Sequence, residues 1–406
     1  MRRMVIWLSY FVIFSVPWED SVLLPGLGSV ARLVGIITAG AWLGTVLVRG
    51  EFRRPQPFHI AILTYVLWQF ASTLWSKNAD VSLDRVQTYV QLFILTMLLW
   101  DLYVNVTDLR GALQSYVLGG YVAIISTVIN FFAQTGFRGQ ARYAATGFDP
   151  NNMGVMLAMG IPLAWYLSTQ TSWRRPNPVL QILNYAYIPG AVLAILLSAS
   201  RTSLLGTVPA AAYMLLTFNR MRLGTRIFVL LILVYALFAI QPLVPQTSFE
   251  RFAETGDSIS SGNLTGRVGI WKQGIEVFTE NPIIGVGTGM YRHTIDLKRP
   301  SHNVFIGVAA ESGIIGITLL LVVFLSAAYN ALRHKTIWNS MLWLVILFIW
   351  FLGATTLNWE YAKITWIMFS LVACSSHAVI EPRAEPAAPM LLLEDPMSKS
   401  RYRQAS

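Results

Sequence analysis

Residues 303–332 have the sequence NVFIGVAAESGIIGITLLLVVFLSAAYNAL, with one charged side chain, Glu311, in thirty positions. A helix crosses the roughly 30 Å core of a bilayer with about 20 consecutive apolar residues. Runs of this kind recur along the whole chain, which is 55% hydrophobic and only 12% charged. Soluble domains usually carry about twice that charge. The sequence therefore predicts a polytopic integral membrane protein.

Twelve runs are predicted to be transmembrane helices, because a backbone in lipid must satisfy its own hydrogen bonds. The fold class is all-α, with one large outer loop that contains short helices. The N-terminal run has no small-residue cleavage site, so we expect an uncleaved first span. The predicted spans are 4–18, 28–48, 58–75, 86–104, 110–133, 152–169, 181–199, 203–219, 226–242, 303–332, 338–356 and 361–380.

Four regions follow from this pattern. Residues 1–242 hold the first nine spans, 243–301 the outer loop and 302–380 the last three spans. Residues 381–406 form a tail rich in Pro, Ala and charge, which we expect to be disordered. Cys374 is the only cysteine, so no intramolecular disulfide is possible.

The basic residues predict the orientation. Of 30 Lys and Arg residues, 17 lie on the side of the two termini, seven in the short opposite loops and span ends, and six in the long outer loop. Positive charge concentrates in cytoplasmic loops, so both termini are predicted to be cytoplasmic. The same rule accounts for the net charge of +10 without nucleic acid, which we do not expect as a partner.

One helix is predicted within the outer loop, where apolar residues recur at helical spacing. Thr265 is placed to cap its start, and Asn281-Pro282 to end it. Ser301 is placed to cap the span that follows. The residues predicted to share the apolar face are Val268, Trp271, Ile275 and Phe278.

Three outer residues are candidates for chemistry, each with a simpler alternative. Arg201, in the short connection SASRTS, suits an anionic partner, although an arginine that snorkels to the membrane surface is the alternative. Arg267, at the start of the outer helix, is otherwise a solvated loop charge. His302 lies where a helix N-terminus disfavours imidazolium, so a neutral ring could act as a general base; a surface histidine without a role is the alternative.

Further residues on the outer side are weaker candidates. Arg138 and Arg142 add positive charge in the loop 135–151. The adjacent Glu19 and Asp20 are a weak metal signal, and a simple topological flank is the better interpretation. GVGTG at 285–289 lacks the βαβ context of a nucleotide site, so we expect a turn that approaches a ligand or another helix. We expect neither a metal nor a cofactor.

Three segments in order carry a family resemblance: SASRTSLLG at 198–206, TGRVGIWKQGIEVFTENPIIGVGTGMY at 265–291, and SHNVFIGVAAESGIIG at 301–316. Together they resemble the O-antigen ligase and polymerase superfamily. The resemblance implies metal-independent, inverting glycosyl transfer from an undecaprenyl-diphosphate-linked glycan at the periplasmic face of a bacterial inner membrane. In the ligase branch the acceptor is lipid A-core. Arg201 and Arg267 match the arginines that meet the diphosphate, and His302 matches the essential histidine.

The chemistry agrees with the resemblance, because guanidinium groups stabilise the growing charge of a diphosphate leaving group. Asn303, Tyr291 and Glu311 are candidates for orienting His302 or the sugar. Two alternatives remain within the superfamily: an O-antigen polymerase and a protein O-oligosaccharyltransferase. A transporter for lipid-linked sugars, with membrane lipids around it, is the alternative from another class, although no internal repeat supports it.

Overall fold

The computed structural model of the protein describes residues 1–26, 28–169, 177–221, 223–253, 267–334 and 336–379. Within these ranges the chain is mainly α-helical, and its one small sheet pairs β1 (Leu23–Leu24) with β2 (Gly28–Ser29) in antiparallel register. The helices are α1 Arg2–Ser15, α2 Val30–Arg49, α3 Pro57–Ala71, α4 Ala79–Leu102, α5 Val106–Phe132, α6 Pro150–Thr169, α7 Pro178–Ser198, α8 Arg201–Thr217, α9 Leu223–Ile240, α10 Gln246–Ala253, α11 Arg267–Glu280, α12 Tyr291–Thr294, α13 Val304–Leu332, α14 Ile337–Ala354 and α15 Lys363–Ser376.

A helix covers most of each of the twelve predicted spans. Within the described residues, six helical segments are long and apolar enough to cross a membrane: Val30–Arg49, Val106–Phe132, Pro178–Ser198, Leu223–Leu243, Val304–Leu332 and Ile337–Ala354. The prediction of a helical membrane protein is thus confirmed. That all twelve helices cross the bilayer remains a prediction.

At one end of the bundle, arginine side chains bind main-chain carbonyls of neighbouring segments. Arg2 donates to the carbonyls of Asp101 and Leu102, and Arg53 donates to the carbonyls of Trp100 at 2.9 Å and His377 at 3.3 Å. Main-chain hydrogen bonds there join residue 379 to residues 104 and 106. The beginnings of α1 and α5 and the ends of α4 and α15 therefore meet, which brings the N-terminus and the end of the last helix to one face.

The opposite end of the bundle gathers the other connections. Glu19, just beyond α1, accepts a hydrogen bond from Lys363 at the start of α15, with Nζ and Oε2 2.5 Å apart. Trp359 donates to Asn152 Oδ1 at 3.0 Å and so links the α14–α15 loop to the start of α6. α6 lies in the core, with nearly every residue buried between α5, α7, α8 and α14. The candidate residues of the sequence all belong to this end.

α13 is interrupted at Gly313, whose φ of 65° and ψ of −166° are not helical. The segment 282–289 docks into the break: Ile314 N–H donates to the Pro282 carbonyl at 2.8 Å, and Gly287 N–H donates to the Glu311 carbonyl at 2.8 Å. A Cβ at position 313 would lie 2.2 Å from the Ile283 carbonyl oxygen, so only glycine fits. The glycine-rich segment therefore approaches another helix, which is one of the two roles expected for it.

The outer helix is present, but the apolar face predicted for it is not the face that is buried. It ends at Glu280, before Asn281-Pro282 as expected, while the predicted cap Thr265 lies outside the described residues. The buried face carries Ile270, Gly274 and Val277, whereas Val268 and Ile275 are 42% and 51% exposed. The reason is Gly274, which lets the helix approach Tyr291 and Ile306 so closely that its glycine face packs inward.

The cap predicted for α13 is also wrong. Asn303, not Ser301, caps it, because the Asn303 Oδ1 accepts from the N–H groups of Phe305 and Ile306 at 2.9 and 3.1 Å. Ser301, two residues earlier, is buried and donates its hydroxyl proton to the Asn303 carbonyl.

Candidate functional site

His302 lies in the short connection that enters α13, and its backbone is strained. Its φ is +47°, a left-handed value that costs free energy for a residue other than glycine. Its N–H donates to Asn358 Oδ1 at 3.0 Å, and the preceding carbonyl, of Ser301, accepts from Trp271 Nε1 at 2.9 Å. The backbone at the half-buried His302 is therefore held by α11 on one side and by the α14–α15 loop on the other.

The surroundings of the ring favour its neutral form. Burial lowers the pKa of His302 below its usual value, and the positive charge of Arg267 lowers it further. Asp149 acts in the opposite direction, while Arg299 and Arg138 add to the lowering. A histidine kept neutral near pH 7 can accept a proton, which is the property that a general base requires.

Arg142 is buried, with 8% of its surface exposed, and two neighbours hold it. Its Nε donates to the Ser198 carbonyl at 3.1 Å, and one terminal nitrogen donates to Asn151 Oδ1 at 3.0 Å. Burial lowers the pKa of Arg142 to about 10, and nearby Arg251 and Arg267 contribute to the shift. At neutral pH the group still carries its charge, so the loop 133–149 presents a fixed cation beside the end of α7.

Arg201 is the first residue of α8 rather than part of a loop. Ser200 caps this helix: its Oγ accepts from the Ser203 N–H at 3.4 Å and from the Ser203 hydroxyl at 2.7 Å. Since Arg142 binds the Ser198 carbonyl, only three residues before Arg201, both guanidinium-bearing residues belong to the same corner of the outer end.

Arg267 is likewise the first residue of a helix, α11. Burial lowers its pKa, and Asp149 opposes that effect. Trp271, one turn later, contacts the carbonyl that precedes His302, so α11 brings Arg267 to the imidazole. Arg138 is exposed in the 133–149 loop, with φ of +51°, and its charge also reaches His302.

Four helices begin at this site: α6 at Pro150, α8 at Arg201, α11 at Arg267 and α13 at Val304. A helix N-terminus carries about half a positive charge and N–H groups without partners in the helix. Asp149, Ser200 and Asn303 cap three of these helices, so the arginines and the helix dipoles, rather than free N–H groups, favour an anion here.

Three further candidates from the sequence use their polar atoms inside the protein. The Asn303 side chain caps α13 and donates to the Thr355 carbonyl at 3.2 Å. The buried Tyr291 donates its hydroxyl to the Ile270 carbonyl at 2.8 Å and thereby supports α11. Glu311 accepts from the N–H groups of Gly289 and Tyr291, so it fixes the glycine-rich segment rather than contacting His302.

The acidic pair at 19–20 is engaged by neighbouring groups within the protein. Glu19 pairs with Lys363 and accepts from Ser29, and burial beside Glu19 raises the pKa of Asp20 to about 6. Among the described residues, His, Cys, Asp and Glu form no group of three that could hold a metal ion. The interpretation of Glu19 and Asp20 as a topological flank agrees with these contacts.

Sequence reasoning missed the residues that arrange the site. Asp149 caps α6, since its Oδ1 accepts from the Asn151 N–H at 2.8 Å, and its charge reaches Arg142, Arg267 and His302. The Asp-Pro at 149–150 is a helix-start signal that would have identified the cap. Asn358 was missed because a lone amide between two apolar runs carries no motif.

The similarity to known proteins includes the part of the chain that contains Arg201, Arg267 and His302. Residues 186–321 match the model of the O-antigen ligase family. An O-antigen ligase of Pseudomonas aeruginosa is 23% identical over 332 residues, which are 77% of this chain and 76% of that protein. The exopolysaccharide production protein ExoQ of Rhizobium meliloti is 23% identical over 325 residues, which are 73% of this chain and 70% of that protein. These matches confirm that the chain resembles the O-antigen ligase and polymerase superfamily.

Proposed function

We propose that the protein is an inner-membrane glycosyltransferase that moves O-antigen from undecaprenyl diphosphate to a sugar hydroxyl of lipid A-core. The observation that carries the proposal is that the charges of Arg138 and Arg267 act on His302, with Arg142 near Arg267, at the outer end of the bundle, where Arg201 starts α8. A neutral base and several fixed cations are the parts that such a transfer needs.

In this reaction the acceptor oxygen attacks the anomeric carbon of the donor glycan. The bond between that carbon and the phosphate oxygen breaks, and the electron pair leaves with undecaprenyl diphosphate. His302 takes the proton of the acceptor hydroxyl. A single displacement inverts the anomeric configuration and needs no enzyme nucleophile.

The cations have separate tasks in this scheme. Arg201 and Arg267 bind the diphosphate and stabilise the negative charge that grows on the leaving oxygen. Arg142, held rigidly by Ser198 and Asn151, adds a fixed positive charge with little entropy left to lose. Exposed Arg138 extends the positive surface toward the periplasm. Asn303 and Tyr291 serve by positioning α13 and α11.

A polymerase is the second candidate, because a relative named for exopolysaccharide production is as similar to this chain as the relative named O-antigen ligase. In that case the acceptor is the free end of a second lipid-linked glycan. The donor, the base and the arginines would serve in the same way, so the acceptor alone separates the two functions.

The direct test uses purified protein in nanodiscs with an undecaprenyl-diphosphate-linked O-antigen donor. Addition of lipid A-core should yield O-antigen attached to the core with inverted linkage, and excess EDTA should leave the rate unchanged. Longer lipid-linked chains formed from donor alone, without any product on lipid A-core, would instead make the protein a polymerase. Loss of activity with EDTA and recovery with Mg²⁺ would contradict metal independence.

Variants divide the roles of the residues. His302→Ala should lower turnover by roughly 10²–10⁴-fold, the usual contribution of a general base, with donor affinity little changed. Arg201→Lys should lower it by about 10–100-fold, because a hydrogen bond to a charged group contributes roughly 1.5–3 kcal/mol and lysine lacks the planar fork. Lys272→Ala, which removes an exposed cation from the same helix as Arg267, is the control. A His302→Ala enzyme that loses donor binding but turns over normally would make His302 a diphosphate ligand.

A further inference from the structure

The connection between α14 and α15, residues 355–362, has no part in the chemistry described above, yet it holds the His302 backbone. The Asn358 side chain makes two hydrogen bonds there. Its Oδ1 accepts from the His302 N–H at 3.0 Å, and its Nδ2 donates to Ser301 Oγ at 2.6 Å. One amide therefore joins the side chain of the residue before the histidine to the histidine's own main chain.

The strain at His302 explains why such a contact matters. A non-glycine residue in the left-handed region is less stable by about 1–2 kcal/mol and persists only where its surroundings fix it. Two contacts from other parts of the chain fix the His302 backbone: Asn358 accepts from the His302 N–H, and Trp271 donates to the Ser301 carbonyl. Without Asn358 the backbone would relax toward negative φ, and the imidazole would turn away from Arg267 and the acceptor.

A buried carboxyl lies behind Asn358. Glu360 is 3% exposed, and its Oε2 has no hydrogen-bond partner within the described ranges. The Asn358 side chain interacts with this carboxyl, and burial raises the pKa of Glu360 to about 8. The carboxyl therefore borders the Asn358 amide and limits the positions open to it.

The groups facing Glu360 come from each of the elements packed around it. Arg85 on α4 is the one cation among them and stacks 3.5 Å from the ring centroid of Tyr361. Glu311 on α13 accepts two main-chain N–H donors, and its charge also acts on Glu360. Tyr65 on α3 and Tyr89 on α4 complete the surroundings.

We propose that Asn358 is a positioning residue for His302: its amide holds the histidine backbone in the left-handed conformation, with the buried Glu360 carboxyl behind it. The inference rests on the proposed function, since it assigns Asn358 to the step in which His302 takes the acceptor proton. Asn358 itself touches neither donor nor acceptor.

A double-mutant cycle tests the proposal. Asn358→Ala should lower the single-turnover rate of the donor-bound protein by about 10- to 100-fold, the scale of a misplaced catalytic group, with donor affinity unchanged. In the His302→Ala background the same substitution should cause no further loss, because Asn358 acts only through His302. Thr356→Ala, which removes a hydroxyl from the same connection, should leave the rate unchanged in both backgrounds.

A second measurement does not depend on transfer activity. Diethyl pyrocarbonate modifies neutral histidine, so the pH dependence of modification of the His302 peptide, followed by mass spectrometry, reports the pKa and the accessibility of that ring. Asn358→Ala should speed the modification and move its midpoint toward 6.5, while the His293 peptide stays constant.

The two measurements separate the possible failures. If the unaltered protein transfers nothing but Asn358→Ala changes His302 modification as expected, the proposed function fails and the positioning role stands. If Asn358→Ala lowers the rate equally with and without His302, or leaves the His302 modification profile unchanged, the positioning role is wrong.

Discussion

His302 is placed so that its chemistry depends on opposing charges within one small site. Burial and Arg267 lower the pKa of the ring, while Asp149 raises it. A base works best when it is unprotonated before the reaction but basic enough to take the proton. The arginines proposed to bind the diphosphate would thus also favour the neutral histidine, and Asp149 limits how far they weaken it as a base.

The pH profile tests this balance. Since the folded pKa of His302 lies below 6.5, activity should persist as pH falls through 6.5 and be lost only at a lower pH. Arg267→Ala removes a lowering charge and should move the acidic midpoint of kcat/KM upward. Asp149→Asn removes a raising charge and should move it downward, while asparagine still caps α6.

The two shifts have opposite signs, which separates them from a general loss of stability. Residual activity between pH 5 and 8 provides the measurement, and the His302→Ala enzyme provides the control, since its acidic limb should vanish. An identical midpoint in Arg267→Ala, Asp149→Asn and the unaltered enzyme would mean that another group controls the limb.

At the scale of elements, α11 determines where Arg267 lies, and it does so through a glycine. A Cβ at Gly274 would lie 2.3 Å from the Tyr291 hydroxyl and 2.8 Å from Ile306 Cγ2. Tyr291 cannot easily move, because it is 3% exposed and donates to the Ile270 carbonyl of the same helix. The segment 282–291, fixed in the break of α13, thereby fixes α11 as well.

Gly274→Ala should therefore destabilise the outer loop by about 1–3 kcal/mol, the usual effect of overpacking, and lower turnover by moving Arg267 and Trp271. Gly269→Ala is the matched control in the same helix, where a Cβ would meet, among the residues that the structure describes, only Leu297 at 3.8 Å. That substitution should be neutral or stabilise the helix by up to about 1 kcal/mol. The measurements are thermal unfolding in detergent and turnover of both variants. Equal effects of the two substitutions would refute the packing argument.

The limits of sequence reasoning appear in the same helix. Composition and run length predicted the helices well, because a bilayer leaves the backbone few alternatives. The face of α11 was predicted wrongly, because apolar periodicity ignores the close approach that Gly274 allows. Arg201, Arg267 and His302 could be named from a family resemblance. Asn358 and Asp149 could not, since their roles come from contacts across the fold.

At the scale of the whole molecule, the two ends of the bundle differ in what their charges do. At one end Arg2 and Arg53 bind main-chain carbonyls and tie helices together. At the other end the charges of Arg138 and Arg267 act on a histidine, and Arg142 lies near Arg267. α1 runs from the first end to the second over about 20 Å, given its 14 residues and a rise of 1.5 Å per residue. The proposed orientation assigns the first end to the cytoplasm.

Labelling with a membrane-impermeant maleimide tests that orientation in intact cells. Gln140→Cys, exposed in the 133–149 loop, should react once the outer membrane is made permeable to the reagent, because the proposed site faces the periplasm. Glu51→Cys, exposed between α2 and α3 beside Arg53, should react only after the inner membrane is opened. The single native cysteine, Cys374, is fully buried and supplies a low background. The reverse pattern would place His302 and the arginines in the cytoplasm, out of reach of a periplasmic lipid A-core acceptor, and would overturn the proposed function together with the orientation.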